Sequence, residues 1–407
     1  MTRFLLLLCG LAAILAPLSA QDSYLAEALR ANPEVTAAYE TYTAMSTKGR
    51  QVRALEEPIL SYSEFLTSVQ TRTGPQERTI AISQSFPWPG VLRLREDLAD
   101  AKANVAFFNY EVKRRIVIEK VGLAAIEYAY LREAVTQADK NLELLRQIKP
   151  VVEEKVRAGG SLAASLRLDV EVAVTEQEVR TLREQRPGLD AQLKLLLGRD
   201  PGSEVLPWPD LPASTPALMP LDHIKAQVRA HHPRLRMAEA EIEGARRMET
   251  LTSKNNLPAF TLGANAIDIG NGGETASSVL LGVKLPLRSG KYKAEREEAA
   301  SMTRAAGATF EAVEQSLIAD AVRLSAMQGE AVSRLRNYDD KLIPSADQAL
   351  ELTKEDFRND KSNLTDLIES ERVLLDLRLM RARALADAHM AAWQIRALTE
   401  TPTAPAK

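Results

Sequence analysis

The chain repeats itself, and that repeat constrains the fold more than any single motif does. Ala28 to Ala38 reads like Val228 to Ala238, with Pro33 falling on Pro233 and Val35 on Leu235, an offset of 200 residues. At the same offset Pro58-Ile-Leu-Ser-Tyr62 matches Pro258-Ala-Phe-Thr-Leu262, and Gly90 after Phe86-Pro87 matches Gly290 after Leu285-Pro286. Near the far end Arg157-Ala-Gly-Gly-Ser161 aligns with Arg358-Asn-Asp-Lys-Ser362, and Leu197 with Leu398, at an offset of 201. Landmarks in one order with a single residue of drift define two copies, residues 21–200 and 221–399. They are joined by 201–220, which carries six prolines, and followed by a tail at 400–407.

Each copy reads helix, two strands, long helix, turn, helix. Asn32-Pro33 opens a helix, because proline in the first turn gives up no needed donor, and that helix is expected to run to about Leu55. After Pro58, Leu60 and Tyr62 alternate against Ser61 and Ser63. A polar turn containing Gly74-Pro75 then leads to Ile80 and Ile82 alternating with Ala81 and Ser83. The second copy has Phe260, Leu262 and Ala264 on one alternate set, a turn at Gly270-Asn-Gly-Gly273, and a strand over Val279 to Leu285.

From Gly90 and Gly290 long helices are predicted to Arg157 and Leu342, the first roughly 100 Å long at about 1.5 Å per residue. Phe310, Val313, Leu317, Leu324, Met327 and Ala331 follow heptad spacing, with Asp320 interrupting. Ile318, Ala321, Val322 and Leu335 widen the stripe, as a helix with neighbours on both sides requires.

The first residues predict export. An apolar run from Phe4 to Leu18 ends in Ser19-Ala20, which places cleavage before Gln21; the run is shorter than the roughly 20 residues of a spanning helix. The only cysteine, Cys9, lies inside that run behind Leu8, a poor context for lipidation, so the mature chain has no thiol chemistry. No later segment is long and apolar enough to cross a membrane as a helix, so a membrane role must use a closed barrel. A net charge of -3 with mixed signs throughout excludes a nucleic-acid stripe. His223, His231, His232 and His389 lack metal-ligand spacing, Glu153-Glu154 reads as a solvated pair, and there is no phosphate loop or nucleophile elbow. Neither an enzyme nor a cofactor or metal site is expected.

The tandem order of Asn32-Pro33 and His232-Pro233, Pro58 and Pro258, Phe86-Pro-Trp-Pro-Gly90, and the turns at Arg157 to Ser165 and Phe357 to Asp366 resembles the TolC-type outer-membrane efflux family across the whole mature chain. The resemblance implies a mainly α fold with a β-barrel part: a homotrimer in which each chain lends four strands to a shared 12-stranded barrel in outer-membrane lipid, while its helices form a long hollow tube through the periplasm. The implied partners are a periplasmic adaptor and an inner-membrane pump of the resistance-nodulation-division type, and the implied role is a passive conduit for small molecules or metal ions.

The same resemblance places a pore constriction at the helical turns. It puts Asp366 at an acidic position and Phe357 at an aromatic one, with Arg157, Arg358, Asp360 and Lys361 beside them. Asp360 stands where the family usually has glycine, and Ser165 stands opposite Asp366 in the first copy, so the acidic ring is expected from the second copy alone. Phe86-Pro-Trp-Pro-Gly90 is also similar to members that serve heavy-metal pumps, although the strand-to-helix bend accounts for its prolines. A periplasmic adaptor would instead carry a lipoyl-like β-domain around one hairpin, and a purely structural coiled coil would lack the strand pairs.

Overall fold

The computed structural model describes residues 19–359 and 361–400. The export segment at 1–20 therefore lies outside the described residues except for Ser19 and Ala20, and the tail at 400–407 except for Glu400. The chain forms two compact units that cut across the repeat. One contains residues 37–112 and 233–315; the other contains the residues up to Thr36, Lys113–His232 and those from Ser316 onward.

The first of these units holds the strands β1 (Ile59–Thr71), β2 (Gly74–Phe86), β3 (Ala259–Ile269) and β4 (Ala276–Lys284). They make one antiparallel sheet in the order β1-β2-β3-β4. The copies meet in its middle, where β2 pairs with β3 from Phe86↔Phe260 through Ile82↔Ala264 to Arg78↔Asp268.

Opposed residues share a face, so the registers Leu60↔Ile82, Tyr62↔Ile80, Ala264↔Val279 and Leu262↔Leu281 assemble one apolar surface. Ser61, Ser63, Thr79, Ser83, Thr261 and Asn265 line the other, with Leu280 opposite Gly263. The apolar face is uncovered within the chain: Leu60 is 72% exposed, Leu281 68% and Val279 82%.

The first hairpin turn differs from the sequence reading, and the second lies where Gly270-Asn-Gly-Gly273 placed it. In the first, Thr71 pairs with Gly74 and Gln70 with Pro75, so Gly74-Pro75 begins β2 and the turn is Arg72-Thr73. Gly74 has φ +137°, and a Cβ there would sit 2.6 Å from the Gly270 carbonyl, so the backbone approach of the two hairpin ends requires glycine. In the second turn Asn271 and Gly272 have φ 59° and 77°, the pair of left-handed residues a tight hairpin favours. Helix α2 (Pro33–Ser46), the short α3 (Lys48–Arg53) and α8 (Pro233–Thr252) flank the strands in sequence. Edge-on ring contacts join Tyr42 to Phe107 at 5.3 Å and Tyr39 to Tyr110 at 5.5 Å.

The other unit is helical. From the first copy it takes α1 (Ser19–Ala31), the part of α4 (Val91–Arg157) from Lys113 onward, α5 (Leu162–Glu184) and α6 (Arg186–Leu197); from the second, α7 (Leu221–His231), the part of α9 (Ser289–Asn337) from Ser316 onward, α10 (Ile343–Arg358) and α11 (Leu364–Thr399). Asn32 caps α2 by accepting from the Glu34 N–H at 2.9 Å, and its amide reaches across to the Leu196 carbonyl, also at 2.9 Å. Helix α4 holds all 67 residues despite Pro150 in its interior.

The second long helix does not stop at Leu342. A π turn at Tyr338–Leu342 carries it into α10, and the wider turn accommodates Pro344, which has no N–H to donate. The copies also part company after their turns. Pro187 ends α5 and starts α6 in the first, whereas α11 runs unbroken for 36 residues in the second.

Residues 201–220 are a packed strap, not a loose tether. Leu206 is buried, and the Trp208 indole stacks on Tyr128 at 6.0 Å while its N–H donates to the Tyr128 carbonyl at 2.9 Å. The Arg186 guanidinium covers the Trp208 ring at 4.4 Å.

Candidate functional site at the helical turns

Both turns belong to the helical unit, and an apolar cluster joins their stems. Leu145, Val152 and Leu168 from the first copy pack with Leu350, Phe357, Leu364, Leu367, Ile368 and Leu374 from the second. The first turn is shaped by its glycines: Gly159 has φ +101°, and Gly160 N–H bonds the Lys155 carbonyl at 2.9 Å. In the second, Lys361 N–H reaches the Asp356 carbonyl at 2.8 Å. Asp360 lies outside the described residues.

The expected constriction residues separate into different roles. Asp366 is exposed and belongs to a capping box. Its N–H donates to the Asn363 side chain at 3.0 Å, and its carboxylate accepts from the Asn363 N–H at 3.3 Å. Ser161 caps the corresponding α5 without a side-chain bond, so the box is peculiar to the second copy.

Phe357 is not an open aromatic at the turn. It is 6% exposed, its ring lies 4.3 Å from the Lys155 ammonium, and its carbonyl accepts from the same group. The helical period explains this, since Phe357 continues the inward stripe from Leu350. Arg157, Arg358 and Lys361 are exposed, with Arg157 only 3.8 Å from Glu153 one helical turn back.

Sequence reading missed the polar ties between copies. Arg372 grips Glu171 with two bonds of 2.7 and 2.8 Å, and Arg167 donates to the Thr365 hydroxyl. The bond to Glu171 holds the Arg372 guanidinium in its charged form, and a hydrogen bond to Asp169 likewise raises the Lys149 pKa. Arg372 and Glu171 are equivalent positions of the two copies at the offset of 201, but only the fold shows that these equivalents meet.

A second omission was legible. Glu371 interrupts the stripe Leu364, Leu367, Ile368, Leu374, Leu375, where every other member is buried. It is 3% exposed, and burial pushes its carboxyl up to about 7.

A sheet with one bare apolar face, long paired helices and two joined turns give the chain a TolC-like fold. Residues 225–400 match the model of the outer membrane efflux protein family. Nodulation protein T of Rhizobium leguminosarum bv. trifolii is 23% identical over 397 residues, covering 89% of this chain and 81% of its own.

Among solved structures, the outer-membrane channel OprN superposes with a TM-score of 0.81 at 18% identity, over 95% of this chain and 91% of its own. The outer membrane protein VceC of Vibrio cholerae does so at 0.77 and 16% identity, over 94% and 96%. The second copy thus matches the outer membrane efflux protein family, and the chain has the fold of these solved outer-membrane channels.

Proposed function

We propose that the chain is the outer-membrane channel subunit of a tripartite efflux system, a passive conduit from periplasm to exterior. The observation that carries this reading is the four-stranded sheet: one face apolar and bare, the other polar, with β1 and β4 as edges. In lipid, open edges leave backbone groups unsatisfied at several kcal/mol each, so the sheet must close through further copies. Three copies supply a 12-stranded barrel with its apolar band against lipid and Ser61, Ser63, Thr79 and Thr261 toward the lumen. An adaptor or a simple coiled coil has no use for such a sheet. The two copies, 21–200 and 221–399, are then quasi-equivalent staves, and the partners are an adaptor at the turns and a resistance-nodulation-division pump supplying energy for small molecules or metal ions.

Helix α5 supports the same assembly. Leu162, Leu166, Val170 and Val174 form an exposed stripe at four-residue spacing, from 64% exposure at Leu162 to 45% at Val174. A neighbouring copy would cover it. Val170→Asp is expected to lower the trimer population at least tenfold, because each buried valine is worth about 1.5 kcal/mol or more, and a charge in its place adds to that loss. Sedimentation of the solubilised protein measures this; an unchanged trimer would remove α5 from the interface.

At the turns, three Asp366 carboxylates are assigned to a ring that attracts cations. The capping box predicts that Asp366→Ala also loosens the start of α11, by about 0.5–1 kcal/mol. Single-channel recording separates the two effects: Asp366→Asn retains an acceptor for the cap and removes the charge. Both variants are expected to lose cation block. Block that survives in Asp366→Asn would leave the residue as a cap only, and failure of the parent trimer to conduct at all would refute the channel.

A further inference from the structure

The least accommodated group among the described residues is the Glu371 side chain. It is 3% exposed, and neither carboxyl oxygen has a hydrogen-bond partner. It borders a narrow cleft of about 10 Å³, scarcely enough for one water. The faces around that space come from three helices. Helix α4 presents Gln137, Asn141 and Leu144, α10 presents Leu350, and α11 itself presents Leu374, Leu375 and Arg378.

The charged groups nearby are already engaged. Arg378 is paired with Asp347 at 2.9 Å, and Lys354 of α10, the cation whose field reaches Glu371, is paired with Glu351 at 3.1 Å. Gln137 donates its amide to Glu133 at 2.6 Å. A carboxylate in this place would be a buried charge with no dedicated partner, and the neutral acid is the cheaper occupant.

The position suits a moving part. Glu371 lies seven residues beyond Leu364, two helical turns into α11 from the second turn, on the seam that α11 shares with α4 and α10. The first copy lacks it: Val170, at an offset of 201, is 63% exposed. A carboxyl placed only in the second copy makes that hairpin alone responsive to protons.

We propose that Glu371 is a proton-operated joint: with its carboxyl neutral, α11 packs closed on α4 and α10, and ionisation of the carboxyl opens this seam to water. Its effect on conduction rests on the channel reading; the joint itself does not.

The sign follows from linkage. Below the ordinary carboxyl value of 4.5 both the closed and the open seam hold the proton, and closure has its full strength. As pH rises from there to about 7 the open seam releases the proton first, so closure weakens across that interval. Above about 7 both forms are ionised, and closure stays at its weakest.

Hydrogen–deuterium exchange on the full-length trimer in lipid nanodiscs tests the joint, with rates corrected for the intrinsic effect of pH. For peptides covering 137–144, 350–354 and 367–378 the opening equilibrium is expected to rise about tenfold per pH unit up to about pH 7 and then level off. In Glu371→Gln, which keeps the shape of the neutral acid, the same peptides are expected to stay protected throughout. A flat profile in the parent protein, or an unchanged rise in Glu371→Gln, would overturn the proposal.

If the glutamine variant does not assemble, infrared titration of the parent trimer decides instead. A protonated-carboxyl band disappearing with a midpoint near pH 7 supports the joint, and complete ionisation by pH 5 overturns it. Currents through the same trimers in a bilayer report separately on the channel. A trimer that never conducts refutes that reading and leaves the exchange result to judge the joint.

Discussion

Lys194→Met is expected to destabilise the protein by about 3–5 kcal/mol, because it strips one partner from a buried ion pair. The Lys194 ammonium lies 2.6 Å from Asp190, and the two side chains are 1% and 4% exposed. Lys194 also donates to the Ser203 carbonyl at 2.7 Å, and Asp190 accepts from the Leu206 N–H at 2.8 Å. Together they pin the start of the 201–220 strap to α6. Without the lysine, Asp190 keeps one backbone donor and an uncompensated charge.

Asp190→Leu combined with Lys194→Met should recover part of the loss, since two apolar groups leave no bare ion, but the strap carbonyls remain unpaired. Denaturant unfolding gives the energies, and limited proteolysis within 201–206 reports release of the strap. A single variant as stable as the parent would refute the pair's structural role.

Gly122→Ala should have a comparable effect through sterics alone. A Cβ at Gly122 of α4 would stand 2.0 Å from the indole of Trp393 on α11. The ring has little freedom to yield: its N–H donates to the Ile118 carbonyl at 3.2 Å, and it packs with Ile126 and Ala386. Overpacking of this kind costs about 1–3 kcal/mol, and the depth of this overlap places the expectation at the upper end. Trp393→Ala should itself cost about 3–5 kcal/mol by leaving a cavity. In that background Gly122→Ala should cost less than about 0.5 kcal/mol, because the obstacle is gone. A double-mutant cycle measures the coupling, and additive losses would mean that the two residues do not meet.

These two sites mark where reading residues in order runs out. Pro33, Pro58 and Gly90 announce element boundaries through their own backbone restrictions. The alternation of Leu60 and Tyr62 against Ser61 and Ser63 assigns strand faces without knowledge of a partner strand. Gly74-Pro75 misled because its composition suits a turn; the backbone approach to Gly270 instead uses the glycine at the start of β2. Phe357, which the resemblance puts at an aromatic position of the turn, is carried by the helical period into the cluster with Leu145 and Leu168, residues about 200 positions away. Glu371 carried a readable warning, an acid in an apolar stripe, but its isolation depends on the pairing of Arg378 and Lys354 to other acids.

Local physics was therefore open to inspection: the four strands, their polar and apolar faces and the helix start at Asn32-Pro33 all arise from groups a few residues apart, and the duplication is visible by aligning the sequence on itself. The tertiary structure alone decided that β2 and β3 join the copies in one sheet, that Lys194 finds Asp190 in a buried site, that Trp393 fills the notch at Gly122, and that Glu371 has no partner. Those outcomes depend on distances between segments far apart in the chain, and the free energy of a buried group is set by what surrounds it, not by its neighbours in sequence.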